Sequence, residues 1–149
     1  MFSDNVPVDI DLMFEQVKWF DPPVDIKNKV IDSLRKEGYD LVEENPGKRQ
    51  GTDLRFSKLQ QDVVIEAEGN KRPNGDPKKQ SQMYTHFLRA VGQLCIRITK
   101  YGKKTRYALA LPREQYYLTK AKETMAGLRR LKVGVYWVED DGKVTFEQL

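Results

Sequence analysis

The sequence predicts a single α/β domain with a mixed β-sheet flanked by helices, and three observations predict this fold class. The chain has 149 residues, enough for one domain with a substantial core, and its 39% hydrophobic and 32% charged residues are typical of a globular protein. Short runs rich in β-branched residues alternate with longer segments of helical periodicity. In the second half these segments follow the order strand, helix, strand, helix, strand, which indicates neighbouring strands joined by right-handed crossovers.

The N-terminal part of the chain predicts two helices before the first strand. Apolar residues at helical spacing within residues 1–22 predict a helical appendage, stopped by Asp21-Pro22-Pro23. A second helix begins near Pro23 and ends at Gly38, because glycine commonly follows the last helical residue. The predicted core is residues 23–149, and both parts are assigned to one domain.

The remaining elements follow from periodicity and from residues that interrupt it. A loop over residues 70–80, with two prolines and four basic residues, is expected to be exposed and to be mobile without a ligand. We predict strands over residues 39–42, 52–56, 63–68, 105–111, 133–138 and 144–146, and helices over residues 80–101 and 113–131.

The stretch QDVVIEAEGNK places two carboxylates in a strand that otherwise reads as buried. Alternate residues of a strand share a face, so Val64, Glu66 and Glu68 point the same way. Two like charges about 7 Å apart on an apolar strand repel each other and resist loss of water, and a cation between them relieves both effects. A metal site is therefore one hypothesis, and an edge strand with a solvated face is the other.

A third acid is expected to join this pair. Two adjacent strands in a hairpin would bring Asp53 close to Glu66 and Glu68. The chain has one cysteine, Cys95, and one histidine, His86, so it cannot build a site from several thiolates or imidazoles. Any metal should be a hard ion with oxygen ligands, Mg²⁺ or Mn²⁺.

The distribution of charge indicates a polyanionic partner. Residues 1–50 hold 7 Lys and Arg against 11 Asp and Glu, whereas residues 71–132 hold 16 against 3. A basic segment that begins directly after a pair of carboxylates suggests a polyanion positioned by cations and acted on by acids. The residues predicted to contact nucleic acid are Lys71, Arg72, Lys78, Lys79, Arg89 and Arg106.

The longest predicted helix has two faces. One face is an apolar stripe typical of core packing, and the other is polar and largely cationic. On the polar face, Arg97 and Lys100 are expected to be solvated. For Arg89 and Gln93 we weigh a site role equally, because the small residues Ala90 and Gly92 would allow a close approach to the sheet.

Taken together, Gly51-Thr52-Asp53, the strand VVIEAE, and a helix carrying RAVGQL, followed by strand, helix and strand, resemble the PD-(D/E)XK nuclease-like superfamily, which has the restriction-endonuclease fold. The resemblance covers about residues 24–138. It aligns Asp53 with the family's aspartate, Glu66 with its second acid and Gln93 with a helix glutamine. Glu68 stands where the family usually has lysine.

The resemblance implies a metal-dependent nuclease that hydrolyses phosphodiester bonds, with DNA favoured as the substrate. Asp53 and Glu66 would hold Mg²⁺ or Mn²⁺, and Glu68 would add a ligand or accept a proton from the attacking water. Lys71 would stabilise the charge of the transition state, and Lys78, Lys79, Arg89 and Arg106 would bind the phosphate backbone. Members of this family often work as dimers, so a homodimer is a further expectation.

Two other functions compete with this one. The fold can be retained as a catalytically inactive module that binds nucleic acid or a protein, which would be consistent with the missing lysine. A subunit of a larger assembly could instead present its basic face to an acidic partner. The acidic N-terminus is unlike a secretion signal and no apolar run reaches membrane-spanning length, so we expect a cytoplasmic protein without a membrane partner.

Overall fold

A mixed six-stranded sheet with the order β1-β2-β3-β4-β5-β6 forms the centre of the computed structural model, which describes residues 24–45, 53–72 and 74–149. The strands are β1 (Asp40–Glu44), β2 (Leu54–Lys58), β3 (Gln61–Ala67), β4 (Arg106–Pro112), β5 (Val133–Val138) and β6 (Val144–Glu147). The helices are α1 (Val24–Lys36), α2 (Gln80–Tyr101), α3 (Gln115–Glu123) and α4 (Met125–Arg130). The predicted fold class is confirmed by this arrangement.

The sheet combines two hairpin-like edges with a parallel centre. Strands β1, β2 and β3 pair antiparallel, β3, β4 and β5 pair parallel, and β6 returns antiparallel to β5. The two parallel connections run through α2 and through the α3–α4 pair, as the strand and helix alternation predicts. The predicted appendage in residues 1–22 and the Gly51-Thr52 step lie outside the described residues.

Helices cover both faces of the sheet, so the described core has three layers. On one face, α1 packs its buried residues Val30 and Leu34 against the side chains of Ile65 and Ala110. On the other face, α2, α3 and α4 pack against Val64 and Leu109. Because β3 lies between β2 and β4, it is a buried interior strand, and the alternative of a solvated edge strand is wrong.

The predicted long helix over residues 113–131 is divided at Thr124. The Thr124 hydroxyl donates to the Lys120 carbonyl oxygen at 2.7 Å, and the backbone there leaves the helical conformation at φ −107° and ψ 7°. A threonine hydroxyl can compete for helix carbonyls in this way. The first of the two helices begins at Gln115, because the Glu114 side chain accepts the Tyr117 N–H at 2.8 Å and caps it.

The basic loop after β3 is a small hydrogen-bonded hairpin instead of the loosely held loop that we expected. Arg72 N–H donates to Asp76 O at 2.7 Å, and Lys78 N–H donates to Asn70 O at 2.8 Å. These bonds close the turn and direct the chain back to the sheet, where Lys78 becomes buried before α2 begins.

Two glycines provide a stability test of this architecture. Gly134 on β5 lies so close to β6 that an added Cβ would be 2.5 Å from Phe146 Cζ and 2.9 Å from Glu147 O, whereas a Cβ at Gly92 on α2 would meet nothing within 4 Å. We expect Gly134→Ala to lower the free energy of unfolding by about 1–3 kcal/mol through overpacking. Gly92→Ala should raise it by about 0.5–1 kcal/mol, since alanine favours the helix.

Urea unfolding of the two variants beside the wild type measures both effects. Equal stabilities for Gly134→Ala and the wild type would contradict the close approach of β5 and β6. The open position at Gly92 also corrects the expectation that this glycine lets α2 approach the sheet, which falls instead to the buried Ala90.

Candidate active site

The paired strands β2 and β3 bring two carboxylates together at one end of the sheet. Leu54 pairs with Ile65, so Asp53 and Glu66 are the next facing residues in this antiparallel register. Asp53 N–H donates to Glu66 Oε2 at 3.3 Å, and Ala67 N–H donates to Asp53 Oδ2 at 2.9 Å. The backbone therefore holds both carboxylates, and the predicted meeting of Asp53 with Glu66 is confirmed.

Both carboxylates sit in a poorly solvated environment. Burial, and after it the neighbouring charge of Asp53, raises the pKa of Glu66 to about 9. Burial also raises the pKa of Asp53, although the charge of Lys27, the Ala67 N–H and the charge of Arg97 each act to lower it. Ionisation of both carboxylates at neutral pH is therefore unfavourable without further positive charge.

Two buried cations come close to this pair from opposite faces of the sheet. Lys27 on α1 is 6% exposed and donates to the Asn45 carbonyl oxygen at 2.9 Å. Arg97 on α2 is 8% exposed, and its Nη2 donates to Gln93 Oε1 at 3.2 Å. The Nε of Arg97 is buried without a hydrogen-bond partner. The expectation that Arg97 is solvated is wrong, because the acids make a buried cation favourable there.

The third predicted acid has a different environment. Glu68 Oε1 lies 3.9 Å from Lys78 Nζ and 3.6 Å from His86 Nδ1, while Lys78 Nζ and His86 Nδ1 are 3.0 Å apart. Burial, and after it the charges of Lys78 and Arg89, lowers the pKa of His86 to about 4. The imidazole is therefore neutral at physiological pH, and its Nδ1 accepts a hydrogen bond from the Lys78 ammonium.

A hydrogen bond from α3 holds the segment that follows Glu68. The buried Tyr117 hydroxyl donates to Gly69 O at 2.9 Å, and Glu68 N–H donates to Ala110 O at 3.0 Å on β4. Burial, together with the charge of Glu68, raises the pKa of Tyr117 above its ordinary value, so the phenol stays protonated as a donor. These two bonds hold the segment that carries Glu68 against the parallel part of the sheet.

The remaining predicted site residues differ in their exposure. Lys71, Lys79 and Arg89 are exposed. Arg72 is half-buried, with its Nη2 donating to Gln82 Oε1 at 3.4 Å, and Gln93 holds Arg97 as described above. Lys79 and Arg89 are thus accessible to a ligand on the α2 side, whereas Lys71 lines a cavity with Ile26 and Lys29 of α1.

Arg106 is the predicted contact that the structure places elsewhere. Its side chain points to the face of the sheet that α1 covers, as do those of Ala108 and Ala110 on the same strand. Glu66 and Glu68 point to the other face. Its Nη2 donates to the Tyr136 hydroxyl at 2.7 Å and to the Tyr39 hydroxyl at 3.3 Å. The prediction that Arg106 binds the phosphate backbone beside the acids is therefore corrected.

Asp53 and Glu66 are the described residues that could hold a hard divalent ion. Mg²⁺ is usually bound by one or two carboxylates, with waters and substrate phosphates completing an octahedron, so Asp53 and Glu66 suffice. Within residues 24–45, 53–72 and 74–149, no three His, Cys, Asp or Glu side chains form a cluster that could hold a metal ion. Glu68, the third acid of the predicted set, instead faces Lys78 and His86.

Three of the residues around the acids were missed or misassigned by the sequence analysis. Lys27 gives no signal, since it is one of several lysines on an amphipathic helix. Arg97 lies four residues after Gln93 on the same polar stripe, and this spacing could have joined it to Gln93. Lys78 was assigned to the phosphate backbone, yet its side chain is 1% exposed.

Comparison with known proteins finds solved structures of the same fold at low sequence identity. No protein-family model matches the chain, and no curated protein matches it. An XisH family protein from Nostoc punctiforme PCC 73102 superposes with a TM-score of 0.57 at 11% sequence identity, over 83% of this chain and 99% of that chain. The chain has the fold of that protein.

A second solved structure agrees with the first. The fdxN element excision controlling factor protein from Anabaena variabilis superposes with a TM-score of 0.53 at 17% identity, over 81% of this chain and 95% of its own. At these identities the likeness concerns the fold. Of the helices in the described residues, none has the length and apolar character needed to cross a membrane.

The raised pKa of Glu66 predicts how stability depends on pH without metal. The ordinary pKa is 4.5 and the folded value about 9, so between these values the folded chain binds more protons than the unfolded chain. The free energy of unfolding should therefore fall as pH rises through this window. Glu66→Gln removes this loss of stability. Near pH 8 the free energy of unfolding of the variant should exceed that of the wild type by at least about 1.4 kcal/mol, the value of one pKa unit.

Urea unfolding in EDTA at about pH 5 and about pH 8 measures the effect. The gain of Glu66→Gln should be larger at the higher pH, because there the unfolded chain has lost the proton that the folded chain retains. Glu44→Gln, an exposed position on β1, is the control and should change stability equally at both values. A pH-independent difference for Glu66→Gln would contradict the buried, protonated carboxyl.

Proposed function

We propose that this protein is a metal-dependent nuclease that hydrolyses phosphodiester bonds, with DNA as its substrate. The observation that carries the proposal is the buried pair Asp53 and Glu66, held by backbone N–H groups at one end of the sheet. These are the two positions at which the resemblance to PD-(D/E)XK nucleases expects metal-binding acids. The fold shared with XisH family proteins supports the same assignment.

Asp53 and Glu66 are the residues proposed to hold Mg²⁺ or Mn²⁺. An ion held by these residues would supply Lewis-acid chemistry, polarising a phosphoryl oxygen and lowering the pKa of water. With that charge beside them, both carboxylates could ionise. The Ala67 N–H keeps Asp53 in place for this role, and the Asp53 N–H keeps Glu66.

Lys78 is proposed to supply the positive charge that family members usually place two residues after the second acid. Glu68 occupies that position, and its Oε1 lies 3.9 Å from Lys78 Nζ. Neutral His86 accepts from the same ammonium at 3.0 Å. Because its side chain is buried, Lys78 would act on the charge of the phosphoryl group without touching it, with Glu68 and His86 as positioning residues, in place of the role first given to Lys71.

The surrounding cations suit a phosphate backbone. Lys79 and Arg89 are exposed at the start and in the middle of α2, which packs on the face of the sheet to which Val64 and Glu66 point. Lys71 is also exposed, but it lines a cavity together with Ile26 and Lys29 of α1. The neighbour from Anabaena variabilis is described as controlling the excision of an element, and excision of a genetic element is a reaction on DNA. This supports DNA over RNA for the present chain.

The competing candidate is a catalytically inactive module that binds nucleic acid or a protein partner. Glu68 in place of lysine favours it, since the charge normally near the second acid is reversed. An inactive module should bind nucleic acid without metal and should not cleave it. A homodimer would suit the nuclease, because cutting two strands requires two sites.

Metal binding and cleavage by matched variants test the proposal. Calorimetry with Mn²⁺ should show binding to the wild type that Asp53→Asn and Glu66→Gln both lose, while Glu68→Gln retains it. Both amide variants can still accept the hydrogen bonds of the original carboxylates, so the fold should be kept. With Mn²⁺ present, either variant should lower cleavage of plasmid and single-stranded DNA by about 100-fold or more.

Wild-type rates in either amide variant would contradict the metal assignment. Loss of Mn²⁺ binding in Glu68→Gln would restore the three-carboxylate site. DNA binding without cleavage in the wild type, at every metal tried, would favour the inactive module.

Two lysine variants separate the proposed roles within the site. Lys78→Met should lower cleavage by about 100-fold with little change in Mn²⁺ binding, because it removes a charge that stabilises the transition state. Lys71→Met, at an exposed position, should lower the rate by less than about tenfold. The measurement is single-turnover cleavage at saturating metal, with thermal unfolding as a check on the fold.

Lys78→Met leaves Glu68 buried without that partner, so the double variant Glu68→Gln with Lys78→Met controls for lost stability. If the double variant folds like the wild type and cleaves at its rate, Lys78 has no catalytic role. If Lys71→Met has the larger effect, the original assignment to Lys71 is correct.

A further inference from the structure

A cavity of about 630 Å³ opens at the end of the sheet opposite the acids. It lies where β4 and β5 begin and where α2 and α4 end, whereas Asp53 and Glu66 lie where β2 begins and β3 ends. A cavity of this volume is within the range that takes a small organic ligand. No part of the nuclease proposal uses it.

The rim of the cavity is strongly basic. Lys103 and Lys104 approach from the turn after α2, and Arg130 and Lys132 from the end of α4. All four are exposed, and among the described residues that line the cavity none is acidic. Their charges act together in a concave surface, where the field of like charges is focused and an anion is favoured.

The inner surface of the cavity is apolar. Ile98 and Leu131 are half-buried there, and Tyr107 forms part of the wall with its hydroxyl turned to the Gly102 carbonyl oxygen at 2.7 Å. A simple anion such as inorganic phosphate would use the rim and leave this surface exposed. A ligand that carries both a phosphate and a flat, weakly polar group would use both.

We propose that this cavity binds a nucleotide unit, with the phosphate against the basic rim and the base against the apolar floor. The unit has two possible sources with the same chemistry, a free nucleotide or one nucleotide of a nucleic-acid strand. The site is independent of Asp53, Glu66 and any metal ion.

The backbone at Lys132 supports a role beyond helix termination. Lys132 directly follows the end of α4 and has φ +58°, a left-handed conformation that glycine or asparagine usually supplies at this place. A lysine there is strained, and residues held in such conformations are enriched at ligand sites. The strained residue and the basic rim therefore point to the same cavity.

A pair of basic residues at equivalent helix positions gives the test. Arg130 in the last turn of α4 lines the cavity, whereas Lys36 in the last turn of α1 does not. Titrations in EDTA use ADP, inorganic phosphate and a fluorescein-labelled single-stranded DNA. Arg130→Ala should weaken nucleotide binding about tenfold, by loss of a charge-assisted hydrogen bond, and Lys36→Ala by less than about twofold.

The probe that shows this difference identifies the source. A tenfold loss for ADP assigns a free nucleotide, and a tenfold loss for DNA alone assigns a strand. Equal affinities of Arg130→Ala and Lys36→Ala for both probes, absence of binding, or phosphate binding as tightly as ADP would overturn the proposal. Asp53→Asn should leave the affinity of the cavity for these probes unchanged. The result at the cavity is therefore independent of whether the nuclease assignment holds.

A second variant separates binding from folding. Lys132→Gly removes a rim charge and also relieves the left-handed strain, so its unfolding midpoint in urea should equal or exceed that of the wild type. Its affinity for the binding probe should nevertheless fall about tenfold. Unchanged affinity in this stable variant would contradict the cavity as the binding site.

Discussion

The burial of Asp53 beside Glu66 is the constraint on which the rest of this site depends. Two carboxylates removed from water in the interior of a sheet need donors and positive charge. The strands supply the donors, since the N–H groups of Asp53 and Ala67 each bond a carboxylate. The helices supply the charge, as Lys27 and Arg97 are both buried near the pair. The raised pKa values indicate that this compensation is partial, and the proposed divalent cation would complete it.

Glu68 stands where the resemblance expects a lysine, and the side chain of another lysine, Lys78, lies beside it. The hairpin after β3 turns back through the bond from Lys78 N–H to Asn70 O and delivers the Lys78 ammonium to the Glu68 carboxylate. His86 stays neutral beside Lys78 and accepts a hydrogen bond from the same ammonium. Lys78, ten residues further along the chain, thus brings a positive charge to Glu68, and motif spacing alone would not show it.

Helix α2 shows where periodicity is informative and where it is not. Its apolar stripe is buried as the 3.6-residue repeat predicts, with Met83, Phe87 and Leu94 against the sheet. The polar stripe divides, however, because Arg97 is buried beside the acids while Lys100 is exposed. Periodicity gives the direction of a side chain around the helix axis and does not give what the facing surface contains.

The sequence by itself determined the alternation of strands and helices, the hairpin that joins Asp53 to Glu66, and the carboxylates of β3, because these depend on local preference and on the two-residue repeat of a strand. The tertiary structure alone decided that β3 is an interior strand, that Glu68 faces Lys78, that Arg97 is buried, and that Arg106 lies on the opposite face. Each of these depends on which element packs against which, and such contacts join residues far apart in the chain. The basic cavity is of the same kind, since it arises where the ends of two helices meet the beginnings of two strands.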